Sequence, residues 1–219
     1  MSDWSTLWPV YLESIGQTLW MVTETLVLGG IFGLALGVLL YTTRRGGLLE
    51  NRWFSGVLNV IVNFFRPIPF IIFMTAVAPL TLALFGTFIG TSAAIFPMTI
   101  AATFGISRIV EQNLVTIDPG VIEAARAMGA SPMRIIFTLL IPEALGPLIL
   151  GYTFVFVAIV DLSAIAGGLG GGGLGNFSIA YGYQRYDWAV TWLAVITIIV
   201  LVQAAQFLGN WLARKALRR

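Results

Sequence analysis

Long runs of apolar residues, separated by short polar segments, dominate this chain. Five of these runs are long enough to cross a hydrocarbon layer of about 30 Å as helices. They extend over residues 16–41, 54–84, 91–110, 135–166 and 188–211. The runs do not alternate apolar and polar residues as membrane β-strands do. The pattern therefore predicts an all-α integral membrane protein with about five transmembrane helices, in a single domain covering residues 1–219.

The second apolar run is interrupted by Pro67, Pro69 and Pro79. Proline removes a helical hydrogen bond and clashes with the preceding turn, although neighbouring helices can satisfy the freed carbonyl groups inside a membrane. The run therefore predicts either one kinked helix followed by a short loop or a helix followed by a re-entrant segment.

Small residues in the first run predict a close helix contact. Gly29, Gly33 and Gly37 recur every four residues and so lie on one face of a helix. Without side chains on that face, a second helix can approach closely.

The composition agrees with lipid as the main solvent. Hydrophobic residues make up 58% of the chain and charged residues 10%, against about 25% charged residues in soluble domains. The chain has no cysteine and no histidine, which excludes disulfides, imidazole bases and the usual zinc sites. We therefore expect no metal or other cofactor. Residues 1–11 have no basic region, so we do not expect a cleavable signal peptide there.

The basic residues predict how the helices are oriented. Ten of them lie in the linker after the first run, near or in the linker after the third run, or in the tail: Arg44, Arg45, Arg52, Arg108, Arg126, Arg134, Arg214, Lys215, Arg218 and Arg219. The other side carries Arg185, while Arg66 lies inside the second run. The positive-inside rule then places the N-terminus outside and the C-terminus in the cytoplasm. The net charge of +2 comes from basic residues at the ends of the spans, where they orient the protein in the membrane. We therefore expect no nucleic-acid partner.

The predicted cytoplasmic loop at about residues 111–134 carries helix signals. Asp118 is a suitable N-cap and Pro119 a suitable first helical residue. Gly129 is expected to end this helix at positive φ, and Ser131 to cap the next one. On the short helix between them, helical spacing predicts an apolar face and an ion pair of Glu123 with Arg126. The face comprises Val121, Ile122, Ala125 and Met128.

This loop resembles the EAA signature of ABC importer permeases. That signature reads E-A-A, three residues, G, nine residues and I-x-L-P. The chain has Glu123-Ala124-Ala125, then Gly129, then Leu139-Leu140-Ile141-Pro142, with Leu139 and Ile141 as aliphatic exchanges. The resemblance implies a type I ABC importer permease-like fold, in which this loop forms a coupling helix seated in a groove of an ATPase subunit. The implied coupling residues are Glu123, Ala124, Ala125, Met128 and Gly129.

ATP hydrolysis itself is expected on a separate subunit, so the chain is not predicted to be an enzyme. A phosphate-binding loop needs G-x-x-x-x-G-K-[ST], but the single lysine, Lys215, is followed by Ala216. The glycine-rich stretch at residues 167–175 has no lysine. We expect it to be a flexible loop or the end of a span on the external side.

Over nearly its whole length the chain is similar to the methionine importer permease family. The stretches that carry this similarity are FFRPIPF at residues 64–70, EAARAMGASP at 123–132, GGLG at 172–175 and YGY at 181–183. Most of them also recur in permeases for other amino acids, so another amino acid remains an alternative substrate. The resemblance implies a multi-pass protein of the bacterial inner (plasma) membrane. It also implies a second copy of the chain, two cytoplasmic ATPase subunits and an extracytoplasmic substrate-binding protein or lipoprotein.

Charged residues inside the apolar runs are candidates for a substrate pathway. Asp161 is expected near the outer end of the fourth run, facing either the interior of a dimer or a hydrogen-bond partner near Ser163. Glu24 is either functional, or bonded to a neighbouring helix, or close enough to the membrane interface to stay hydrated. Arg66 either satisfies carbonyl groups freed by the prolines or takes part in gating.

Two other classes of membrane protein remain open on the sequence. Glu24 and Asp161 would be ion sites in a self-contained secondary transporter, although five spans do not divide into the repeated halves common in such proteins. A membrane scaffold without a transport role is the other alternative.

Overall fold

The computed structural model describes residues 4–217, and within this range the fold is all-α, without strands. Asp3, Arg218 and Arg219 lie outside the described residues. The α-helices, in chain order from α1 to α11, are Trp4–Thr43, Arg52–Phe65, Phe70–Ala76, Ala78–Phe85, Thr91–Val115, Pro119–Ala127, Pro132–Ile135, Ile141–Glu143, Leu145–Ala166, Gly173–Asn176 and Trp188–Leu217. The predicted fold class is therefore confirmed.

Four segments of the described chain are long and apolar enough to cross a membrane: α1, α5, α11, and α9 with its extension to Gly171. Helices α2 and α3 form a fifth only if they are counted together, and their axes differ by 103°. A turn of this size at Pro67 and Pro69 far exceeds a kink within one helix. The alternative of a single kinked helix is therefore wrong for the second run, which instead breaks after Phe65.

Helix α1 begins at Trp4, well before the start of the first apolar run, because its N-terminal turns have their own packing partners. Leu7 and Tyr11 are buried in a small core with Phe177 and Val190. The Tyr11 hydroxyl also makes a 2.6 Å hydrogen bond with the hydroxyl of Thr197 in α11. Tertiary contacts thus extend a helix whose sequence is more polar at this end.

The glycine face of α1 packs directly on α5, as its spacing predicts. A Cβ atom added to Gly29 would lie 2.9 Å from the Cβ of Ala102. At Gly37 it would lie 2.5 Å from the Cβ of Val110 and 2.6 Å from the carbonyl oxygen of Ser107. Only glycine permits this separation of the two helices, around which the main core forms.

The glycine-rich stretch is a tightly packed reversal at the end of α9. Gly170, Gly172 and Gly173 have φ values of 97°, 81° and 72°, which are unfavourable for other residues. The Gly173 N–H donates to Gln17 Oε1 at 2.6 Å, and the N–H of Leu174, which is fully buried, donates to Thr18 Oγ1 at 2.8 Å. The glycine-rich stretch was expected to be either a flexible loop or the end of a span, and the structure shows the end of a span. Side chains of α1 cap helix α10, which follows it.

Candidate coupling surface and translocation face

The short helix α6 is built by its caps as the sequence predicts. Asp118 Oδ1 accepts a hydrogen bond from the Gly120 N–H at 2.8 Å, and Pro119 is the first helical residue. Gly129 has φ 79°, which reverses the chain after α6. Ser131 Oγ then accepts from the Arg134 N–H at 3.4 Å at the start of α7. These four local predictions are confirmed.

The apolar residues of α6 do not form a single outward face. Ala125 is 7% exposed and belongs to the main core, whereas Met128 is 81% exposed. Met128 is the C-cap residue, one position beyond the last helical residue, Ala127. Glu123 and Ala124 are exposed together with Met128 and Gly129. Of the two small alanines, Ala124 is therefore available to a partner and Ala125 anchors the helix.

The predicted ion pair of Glu123 with Arg126 is wrong for this structure, in which neither of the two ion pairs among residues 4–217 involves them. Arg126 Nη2 instead donates a 3.0 Å hydrogen bond to the carbonyl oxygen of Gly47, in the segment between α1 and α2. The side chain thereby ties the exposed surface of α6 to the end of α1. Residue spacing within one helix predicted a local partner for Arg126, whereas in the fold Arg126 bonds to a carbonyl group that is distant in the sequence.

The segment that accepts the hydrogen bond from Arg126 is itself an ordered turn. The Gly47 N–H donates to the Arg44 carbonyl at 2.9 Å, and the Arg44 guanidinium lies 4.2 Å from the ring centre of Tyr41. Hydrogen bonds from the Gly46 N–H and then from Arg52 hold the pKa of the Glu50 carboxyl below its ordinary value of 4.5. Sequence reasoning missed this support, although two consecutive glycines after an apolar run are a turn signal.

The segment after α7 connects the exposed loop to α9. Residues Ile136–Leu140 form a widened π-helical turn that precedes Pro142. Such turns arise where the regular hydrogen-bond ladder is interrupted, and proline interrupts it. Ile135 and Leu140 are nevertheless buried in the main core. The segment between α6 and α9 is therefore packed against the main core at both ends of the widened turn.

Arg108 lies within α5 rather than in the linker that follows it. Its guanidinium pairs with Glu111 at 2.5 Å and donates to Asn63 Oδ1 of α2 at 2.7 Å. Both charged side chains are mostly buried, so each needs its partner. Sequence reasoning counted Arg108 only as a topology signal and missed Asn63, which holds α2 to α5.

The candidate pathway residues do not come together in one site. Asp161 is exposed on α9, without a hydrogen-bond or ion-pair partner among residues 4–217. Ser163 is buried, and its hydroxyl donates to the Val160 carbonyl of its own helix at 2.7 Å. The structure therefore does not provide the expected hydrogen bond near Ser163 for Asp161. Ser163 itself packs inside the chain.

Neither Arg66 nor Glu24 forms an ion pair with Asp161 among residues 4–217. Arg66 is exposed at the bend after α2, where its backbone N–H donates to Val62. Its side chain bonds to no carbonyl group among the described residues, so the expected role in satisfying freed carbonyls is wrong here. Glu24 is half-buried in α1. Within residues 4–217 no three acidic, histidine or cysteine side chains converge as a metal site would require.

The sequence of this chain is similar to those of known membrane transport proteins. Residues 31–218 match the family model of the binding-protein-dependent transport system inner membrane component. The chain is 44% identical to a probable D-methionine transport system permease of Vibrio cholerae, over 93% of this chain and 91% of that protein. It is 40% identical to a methionine import system permease of Bacillus subtilis, over 78% of both chains.

A solved structure extends this similarity to the fold. A chain of the MetNI methionine ABC transporter, in an inward-facing conformation, aligns with a TM-score of 0.94 and 39% identity, covering 99% of both chains. The apolar spans, the EAA-like loop and these matches agree. The chain belongs to the family of inner membrane components of binding-protein-dependent transport systems.

Proposed function

We propose that the chain is the membrane-spanning permease subunit of an ATP-driven importer of methionine. The observation that carries this proposal is the 44% identity to a D-methionine permease along nearly the whole of both chains. The MetNI alignment, which covers 99% of both chains, supports it independently of any single motif. The permease works with a second copy of itself, two cytoplasmic ATPase subunits and an extracytoplasmic substrate-binding protein or lipoprotein.

Helix α6 is the proposed contact with the ATPase. Its exposed Glu123, Ala124 and Met128 offer a charge, a small side chain and an apolar side chain to one groove. Gly129 turns the chain back behind this surface. The Arg126 hydrogen bond to Gly47 and the buried residues before α9 connect α6 with the membrane helices. ATP-driven movement of the partner is thereby passed to α1 and α9.

The proposed orientation has the N-terminus outside and α6 in the cytoplasm. The Arg126–Gly47 bond brings α6 to the end of α1, beside Arg44 and Arg45. Leu217 at the end of α11 lies where a side chain on Gly146, at the start of α9, would be. These contacts gather most of the basic residues at one end of the molecule, as the positive-inside rule expects of a cytoplasmic end.

Asp161 is the proposed pathway residue. It shares one side of α9 with Leu150 and Phe154, by helical spacing, and all three are exposed. A carboxylate facing lipid is costly, so this side is proposed to face the second copy across the pathway. Two acids there would attract the ammonium group of an arriving amino acid.

Asp161→Asn is expected to lower methionine uptake several-fold at an unchanged amount of assembled complex. The amide keeps the size and hydrogen-bonding capacity of the carboxylate and removes its charge. Initial uptake rates across a range of methionine concentrations measure the effect. Normal kinetics at normal expression would exclude a role of this charge in the pathway.

Uptake competition tests the proposed substrate. In a strain that depends on this system for methionine, labelled methionine is supplied with an excess of unlabelled competitors. L-methionine and D-methionine are expected to compete, while arginine, glucose and divalent metals are not. A clear preference for a cationic amino acid, a sugar or a metal would overturn the methionine assignment and leave the permease assignment intact.

A further inference from the structure

An apolar groove on the surface between α1, α9 and α11 has no part in the proposed transport path. Its volume is about 690 Å³, within the range of about 300–1,000 Å³ that is typical of small-molecule sites. The polar groups in its wall are satisfied internally. Tyr152 donates its hydroxyl to the Gly30 carbonyl at 2.7 Å, and Thr153 donates to the Ile149 carbonyl at 2.8 Å. The groove therefore favours an apolar occupant over water.

The groove has the length of one lipid leaflet. Its wall on α9 includes Leu145 and Phe156, which are about 16 Å apart along a helix with a rise of about 1.5 Å per residue. Half of a hydrocarbon layer of about 30 Å measures about 15 Å. One extended acyl chain lying along α9 matches this length.

A cationic side chain lies at one end of the groove. On α11 the wall ends at Leu212, and Lys215 follows one turn later on the same side of the helix. Lys215 Nζ lies 5.5 Å from the ring centre of Trp211, a residue type enriched at the membrane–water interface. Arg214 is exposed at the same end of α11, on the side away from the groove by helical spacing. These cations are at the depth of a lipid headgroup.

The groove and the proposed pathway occupy different sides of α9. Leu145, Phe156 and the other wall residues of α9 share one side of the helix. Asp161 and Phe154 lie on roughly the opposite side by helical spacing. Glu143, an exposed acid at the same end, also falls on that opposite side. A second copy seated on the Asp161 side therefore leaves the groove open to the bilayer.

We infer that this groove binds one acidic phospholipid, with an acyl chain between α1, α9 and α11 and the phosphate beside Lys215. The acyl chain of the bound lipid fills a gap between three membrane helices that the protein's own side chains leave empty. The site requires both apolar length and headgroup charge, which distinguishes it from ordinary lipid contact.

Native mass spectrometry of the complete importer complex, equilibrated with phosphatidylglycerol or phosphatidylcholine in detergent, tests the site. Phosphatidylglycerol is expected to saturate at one molecule per chain and to be retained in preference to phosphatidylcholine. Lys215→Gln is expected to reduce this preference about fivefold and to leave phosphatidylcholine retention unchanged. Equal retention of the two lipids by the unaltered protein, or an unchanged preference in Lys215→Gln, would overturn the proposal.

A bulky substitution in the groove provides a second test of the proposed lipid site. Leu208 lines the groove and is 55% exposed, so Leu208→Trp fills the groove without entering the core. The matched control is Phe207→Trp, at a neighbouring position that is 71% exposed and outside the groove wall. Leu208→Trp is expected to lose the retained phospholipid and Phe207→Trp to keep it. The same retention in both variants would contradict the assigned site.

Discussion

Replacing Gly37 with leucine is expected to abolish assembly of the membrane domain. A Cβ atom at this position would lie 2.6 Å from the Ser107 carbonyl oxygen and 2.5 Å from the Val110 Cβ. Backbone of α5 cannot move aside as a flexible side chain would, so α1 and α5 must separate. Overpacking of this kind costs about 3 kcal/mol or more at its upper end. The yield of monodisperse complex after detergent extraction, with its unfolding temperature, measures the loss.

Gly16→Leu is the matched control for this substitution. Gly16 lies in the same helix, and no described atom outside its own helical turns and adjacent residues lies within 4 Å of its added Cβ. This variant is expected to assemble normally. Equal yields and unfolding temperatures for the two variants would show that the glycine face of α1 does not determine the packing.

Replacing Gly129 with valine is expected to remove most of the stimulation of ATP hydrolysis by substrate. The residue has φ 79°, which a β-branched side chain strongly disfavours, at a cost of about 1–3 kcal/mol. An added Cβ meets no other described atom within 4 Å, so the effect arises from backbone conformation alone. Substrate-stimulated ATP hydrolysis by the assembled complex is expected to fall about tenfold or more.

Asparagine at the same position separates conformation from side-chain size. Asn tolerates positive φ better than other non-glycine residues, so Gly129→Asn is expected to retain most of the stimulated hydrolysis. Both variants should insert in the membrane and bind the ATPase. If Gly129→Val hydrolyses ATP and transports as well as Gly129→Asn does, the chain reversal behind α6 is not needed for coupling.

Features that depend on local chemistry could be predicted from the sequence. The caps of α6 at Asp118 and Gly129 follow from residue types with strong local preferences. The spacing of Gly37 and the other small residues on one face of α1 predicted a close contact with a second helix, but not that this helix is α5. The transmembrane helices could likewise be predicted, because the apolar runs are long enough to cross the bilayer.

Features that depend on distant partners could not be predicted. Arg126 has suitable local spacing to Glu123, but the fold brings the Gly47 carbonyl within reach. The N-terminal turns of α1 are stabilised by contacts such as Tyr11 with Thr197, which lie at opposite ends of the chain. The direction of the chain after Phe65 depends on packing against α5 as well as on the two prolines, so composition left two alternatives.

The initial rate of labelled methionine uptake into proteoliposomes tests the permease assignment most directly. The permease is reconstituted alone, with the ATPase, and with both the ATPase and the binding protein, in each case with ATP on the α6 side. Accumulation is expected only when all three components and ATP are present. Methionine accumulation by the permease alone, driven by a proton or sodium gradient, would contradict the assignment.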